Sequence, residues 1–174
     1  MKQTELTFTE FKKSVLKDFK IICESREASL LGRKEVLTGK AKFGIFGDGK
    51  ELAQIAMARS FKNGDFRSGY YRDQTFMMAI GELTLDALFA QLYSDTNIKN
   101  EPASVGRQMN NHFATRSLDE DGKWKDLTKQ GNSAADISPT GAQMPRLLGL
   151  GQASKIYRNN TKIDSTNFSK NGDE

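Results

Sequence analysis

Between Phe8 and Cys23 the stretch FTEFKKSVLKDFKIIC places Phe8, Phe11, Val15, Leu16, Phe19, Ile22 and Cys23 at helical spacing, with lysines and acids between them. A repeat near 3.6 residues does not fit a pleated strand, whose side chains alternate between two faces. The segment therefore predicts an amphipathic helix with one buried face and Cys23 in the core. Arg26 to Leu37 continues it, to a break near Gly39. The same period returns in KELAQIAMARSF, with Leu52, Ile55 and Ala56 facing inward after a glycine turn. It returns again in LTLDALFAQLYS, with Leu85, Leu88, Phe89 and Leu92 on one face and Thr84 as N-cap. MPRLLGLGQASKIY reads as a last helix, Pro145 near its first turn and Gly149, Gly151 and Ala153 on one side. Each glycine costs such a helix about 1 kcal/mol relative to alanine, which a close backbone contact would explain. Alternating β-branched runs are few and no repeat is present. The pattern is a helical layer with no sheet to lie on.

At 174 residues the chain fits one domain, or a large piece of a bigger one. Its 26 Lys and Arg stand against 22 Asp and Glu, a net charge of +4, but the signs are interspersed. That predicts a mixed solvated surface; with no helix-turn-helix pattern, zinc spacing or basic stripe, nucleic acid is not an expected partner. The single Cys23 excludes an internal disulfide framework and suits a reducing compartment. No apolar run reaches the roughly 18 residues of a membrane span, and the start lacks the apolar core of a signal peptide. The expected setting is soluble and cytoplasmic.

From Asp95 to Gly141 the helical period dissolves into a polar stretch, a length of connection that is usually functional or mobile. Within it, residues 117–131 read as an exposed insertion in which Trp124 should find a packing partner. The end, RNNTKIDSTNFSKNGDE, is polar. Several short motifs are open to two readings. GDG at 47–49 could present an acid to a metal or simply connect to a helix. YYRDQ at 70–74 could hold a phosphate through the arginine fork and tyrosine hydroxyls, or form a buried Arg-Asp pair. SPTGAQMP at 138–145 is a turn into a helix N-terminus, where free N–H groups can meet an anion or a polar ring, or an ordinary helix start. His112, in GRQMNNHF, is the only histidine, and a lone histidine is more often structural than catalytic.

Taken in order, the glycine turn, YRDQ, GRQMNNH and SPTGAQMP resemble the alpha subunit of thiamine-diphosphate-dependent 2-oxo acid dehydrogenases, from about Phe8 to Tyr157. GRQM followed by His is closer to the branched-chain type than to the pyruvate type. The resemblance implies that Tyr71 and Arg72 reach the cofactor diphosphate and that Ser138 and Thr140 contact its aminopyrimidine. It places His112 at the active-site entrance, near substrate or a lipoyl arm. A monovalent-cation site at Pro139 and Gln143 is also implied but weakened, because Ala142 stands where those enzymes have a threonine ligand. Pyruvate-type members carry a further histidine near the place of Ile45, so that group is absent here.

The family binds Mg²⁺ through a GDG followed by Asn-Asn, behind a strand. GDG at 47–49 has no such partner downstream, and the Asn-Asn pairs at 110–111 and 159–160 follow no GDG at the right distance. The metal motif is therefore expected after Glu174, and the glutamate that activates the cofactor on a beta subunit or fused beta half. The expected fold class is α/β: residues 1–40 a helical segment, and 41–174 the helix-rich N-terminal part of a three-layer α/β/α thiamine-diphosphate-binding domain, incomplete here. The implied reaction is oxidative decarboxylation of a 2-oxo acid, a branched-chain acid before pyruvate, with acyl transfer to a lipoyl-bearing acyltransferase core, in a hetero- or homo-oligomer. The fragment alone would be inactive. The alternative is a non-catalytic helical interaction protein with the family's outline.

Overall fold

The computed structural model describes residues 6–160 and 162. Its order is α1 (Phe8–Leu37), α2 (Glu51–Ala58), β1 (Phe66–Ser68), α3 (Gln74–Ala79), α4 (Leu85–Leu92), β2 (Asn132–Ala134) and α5 (Gln143–Asn159), a helix-rich α/β arrangement with one small parallel sheet, in which α1 to α4 pack on one another and α5 lies against β1. The end of the chain, expected to be polar, lies mostly outside the described residues.

Helix α1 starts where Thr7 and Glu10 form a reciprocal capping box, and stops where Gly39 takes φ +77°. Its 30 residues do not bury the predicted face. Phe8, Phe11, Val15, Leu16 and Phe19 are exposed, and so is Cys23. Burial begins at Ser25 and continues through Ala28, Ser29, Gly32 and Glu35, because only the second half lies against α2, α3 and α4. Gly32 admits the Phe46 ring so closely that a Cβ would sit 2.3 Å from Phe46 Cε1.

In α2 only Ile55 of the three predicted inward residues is buried; Leu52 and Ala56 face out, and Gln54 and Glu51 take the inner positions. Helix α4 follows the sequence in part, with Leu85 exposed and Phe89 half-buried. Thr84 Oγ1 accepts the Ala87 N–H, while Leu88 and Leu92 are buried. Ala28, Phe76, Met77, Leu88 and Phe113 form the core, with Phe61 edge-on to Phe76 at 5.2 Å.

Helix α5 buries no residue, and nothing lies within 4 Å of a Cβ built on Gly149 or Gly151. The expected close contact on these glycines is absent among the described residues. Residues 117–131 carry an isolated antiparallel bridge between Leu118 and Trp124, the latter 55% exposed, and anchor through buried Leu127. Asp126 caps the turn there. Its carboxyl is held down to about 2, first by the Thr128 hydroxyl and then by Lys129. A value below the ordinary 3.8 means that the folded chain binds this proton less tightly than the unfolded one. Its stabilising contribution is thus complete above about pH 4 and lost as pH falls through 2. Thermal melts of Asp126→Asn and the parent chain should differ most at neutral pH and converge toward pH 2; a difference independent of pH would contradict this.

Strands β1 and β2 pair in parallel, Phe66 with Asn132, Arg67 with Ser133 and Ser68 with Ala134. Their carboxyl ends therefore stop side by side. The segments that follow, 69–73 and 135–142, leave from the same edge, the place where open α/β sheets bind ligands.

Candidate functional site

The first segment is shaped from below by glycine. Gly47 packs so tightly on the Arg72 carbonyl that a Cβ would fall 2.3 Å from its oxygen. Gln54 Nε2 donates to the same oxygen at 2.9 Å, and its Oε1 accepts the Phe76 N–H. The GDG turn is thus a connection into α2 that seats Arg72. Asp48 within it is engaged by Arg33 at 2.6 Å, which holds its carboxyl below the usual range.

YYRDQ divides its work. Asp73 does form an ion pair, but with Arg67 at 2.8 Å, and Arg67 also reaches buried Asp136 at 3.2 Å. Arg72 instead lies over the rings of Tyr70 and Tyr71, at 5.3 and 5.0 Å from their centroids. Its Nη1 donates to the Tyr70 hydroxyl at 2.8 Å, and that hydroxyl donates to Tyr71 at 2.7 Å. Such a chain polarises toward its last acceptor. Tyr71 is accordingly the phenol shifted down, first by the Tyr70 hydrogen bond and then by Thr140 and Arg72, while Tyr70 is shifted up.

His112 is buried, and its ring stacks on Tyr71 at 5.7 Å with 12° between planes. Its Nδ1 lies 3.2 Å from the Asn110 carbonyl and its Nε2 2.8 Å from Ser138 Oγ. A carbonyl only accepts, so Nδ1 carries the proton in the neutral ring and Nε2 accepts from the serine hydroxyl. Ser138 is exposed, which makes its hydroxyl the outward contact of a buried imidazole.

The backbone under His112 is clamped. Gln91 Nε2 donates to the His112 carbonyl at 2.7 Å. Asn110 pairs with both backbone groups of Ile45, each at 2.9 Å, and Asn111 donates to the same Ile45 oxygen and to Gln74. Gln74 in turn donates to Ser25 and Ser29 of α1. The Asn-Asn pair at 110–111 is therefore a structural strap. Its signal in the sequence was visible only as two adjacent amides.

On the other side Pro139 opens the turn, the Ala142 N–H bonds to the Pro139 carbonyl, and Gly141 takes φ +84°. The N-cap of α5, Ala142, supplies no side-chain cap. Gln143 donates to the Ile137 carbonyl, and its own carbonyl accepts from Ser68. Tyr71, Arg72, His112, Ser138 and Thr140 thus form one cluster, to which the structure adds Tyr70. Pro139 and Gln143 lie in the adjoining turn with their polar groups turned to the protein.

This set is rich in donors and poor in acids, which suits a phosphate ester beside a polar ring. Among the described residues no group of three or more His, Cys, Asp or Glu is placed to hold a metal ion. Asp136 lies close behind. Burial pushes its carboxyl up and the Arg67 guanidinium opposes that shift.

A comparison with curated proteins gives no match. The family model described as "Dehydrogenase E1 component" matches residues 25–168. That span holds every residue of the cluster, and the chain belongs to the dehydrogenase E1 component family.

Proposed function

We propose that the chain is the alpha-type part of a thiamine-diphosphate-dependent 2-oxo acid dehydrogenase, branched-chain in preference, acting in the cytoplasm. It would work with a beta subunit or fused beta half and a lipoyl-bearing acyltransferase core, within an oligomer. The observation that most supports this is the parallel pairing of β1 with β2, which sets Tyr71 and Arg72 beside Ser138 and Thr140 at one sheet edge. When bound, thiamine diphosphate supplies the carbanion stabilisation that decarboxylation requires. Arg72 and Tyr71 would hold the diphosphate, and the Ser138–Thr140 turn would orient the aminopyrimidine. His112 reaches that space through Ser138: the serine hydroxyl can take a proton from a bound group while passing its own to Nε2. Mg²⁺ would need ligands from sequence beyond this chain.

Calorimetry with thiamine diphosphate and Mg²⁺ tests the reading, on this chain and on one extended through its reading frame and joined by the beta partner. Binding by the assembled form alone, with turnover reduced roughly 10²-fold in Ser138→Ala, is the expected result. Binding by neither form would leave a non-catalytic relative of the family.

A further inference from the structure

Asn111 is a non-glycine residue in the left-handed region, at φ +61°, and it is fully buried. Side chains enter that region at a cost, which asparagine bears better than most. Its position shows what the cost achieves. His112 Nδ1 meets the carbonyl of Asn110, two residues back, so the dihedrals of the intervening Asn111 bring ring and carbonyl together. The Asn111 amide then pins the turn, donating to the Ile45 carbonyl and to Gln74 Oε1. Gln91 holds the next peptide from α4, its Nε2 donating to the His112 carbonyl.

Neither amide is well used as a packing group. Gln91 Oε1 and Asn111 Oδ1 are both buried with no hydrogen-bond partner among the described residues. Burying an unmatched amide oxygen disfavours folding, and an apolar side chain of similar shape would avoid it. A left-handed side chain and two unmatched oxygens gathered under one histidine point to function more than to stability. What they support is a choice between two tautomers. The neutral imidazole has one protonated nitrogen, and the hydrogen bonds made by the ring decide which. With the proton on Nδ1, facing the Asn110 carbonyl, Nε2 keeps its lone pair and accepts from the Ser138 hydroxyl. With the proton on Nε2, the ring would donate to Ser138 and could not take a proton from it.

We propose that Asn111 and Gln91 are positioning residues that hold His112 as the Nδ1–H tautomer, so that its Nε2 is the proton acceptor behind Ser138. Both are buried and act through His112. The inference rests on the reading of Ser138 and His112 as the proton path of the site, while the tautomer itself is a property of the chain without cofactor.

His112 is the sole histidine, so tag-free protein labelled with nitrogen isotope in the ring gives a single pair of ring signals, which distinguish a protonated from a bare nitrogen. At alkaline pH, where imidazoles are neutral, the parent chain is expected to show Nδ1–H. A histidine free in water favours the Nε2–H form, so a released ring drifts toward it. Asn111→Ala disfavours the turn and removes the amide; Gln91→Met removes the donor at nearly constant shape. Each should lower the ratio of Nδ1–H to Nε2–H about fivefold, the weight of one neutral hydrogen bond. Asn111→Gly, free to adopt the turn, should lie closer to the parent than Asn111→Ala. A merely structural role would lower the melting temperature and leave the ring signals alone. The proposal is overturned by a parent chain protonated on Nε2, by parent-like ring signals in either folded variant, or by Asn111→Gly lying no closer to the parent than Asn111→Ala. Should Asn111→Ala fail to fold, Gln91→Met decides. Failure of the assembled enzyme to bind cofactor would remove the functional reading and leave the tautomer result standing.

Discussion

Replacing Arg67 with methionine is expected to cost about 3–5 kcal/mol of folding stability, the usual loss when one partner of a buried ion pair is removed. Arg67 is 7% exposed and holds four groups: Asp73, Asp136, the Ser133 hydroxyl and the Tyr70 carbonyl. The Asp136 side chain is fully buried, and without the guanidinium its charge would have no counterpart. Desolvation already raises that carboxyl, and removing Arg67 raises it further. A raised folded-state value means stability is fully present below the unfolded value and lost as pH rises through the folded one, so the penalty should shrink in acid. Urea denaturation at two pH values measures this, and adding Asp136→Asn to Arg67→Met should recover part of the loss. A cost below about 1 kcal/mol would place the pair with solvent-screened surface bridges.

Arg72→Ala in the assembled enzyme should raise the dissociation constant for thiamine diphosphate about 10- to 100-fold, equivalent to about 1.5–3 kcal/mol for hydrogen bonds to a charged group. The side chain rests on Tyr70 and Tyr71 and, among the described residues, bonds to the Tyr70 hydroxyl alone, so the fold should tolerate its removal. Arg72→Lys keeps the charge but not the planar fork or its stacking, and should fall between the two. Calorimetry reads both variants. An unchanged dissociation constant in Arg72→Ala would remove the diphosphate from this residue.

Helix positions were legible in the sequence because periodicity and caps are local. Thr84, Gly39 and Pro145 mark boundaries that the structure reproduces. Which face is buried depends on what lies opposite, and here Phe11, Leu16, Cys23 and Leu52 were misplaced. The strands escaped notice because each has three residues and Asn132–Ala134 contains no β-branched side chain. Their parallel pairing joins positions far apart in the chain, which no local pattern encodes. The members of the candidate site were legible only through the order of their motifs. Their supports were not: Gln91, Asn110, Gln54 and Gly47 all act on backbone atoms of distant residues. An amide or glycine carries no mark of such a partner until the fold supplies it.

Helix α1 joins two halves with different histories of solvent. The first is fixed by its capping box and by Arg59, which reaches Asp18 and Ser14, while the half from Ser25 onward is packed. A lone helix shorter than about 12–15 residues is marginal in water, so the two halves should open independently. Deuterium uptake should record a gradient along one continuous helix: amides before Ile22 exchanging through local fraying, and those beyond Ser25 only when the whole domain opens. Slow uptake at Leu16 and Phe19 would instead reveal that a second molecule shields this ridge in solution.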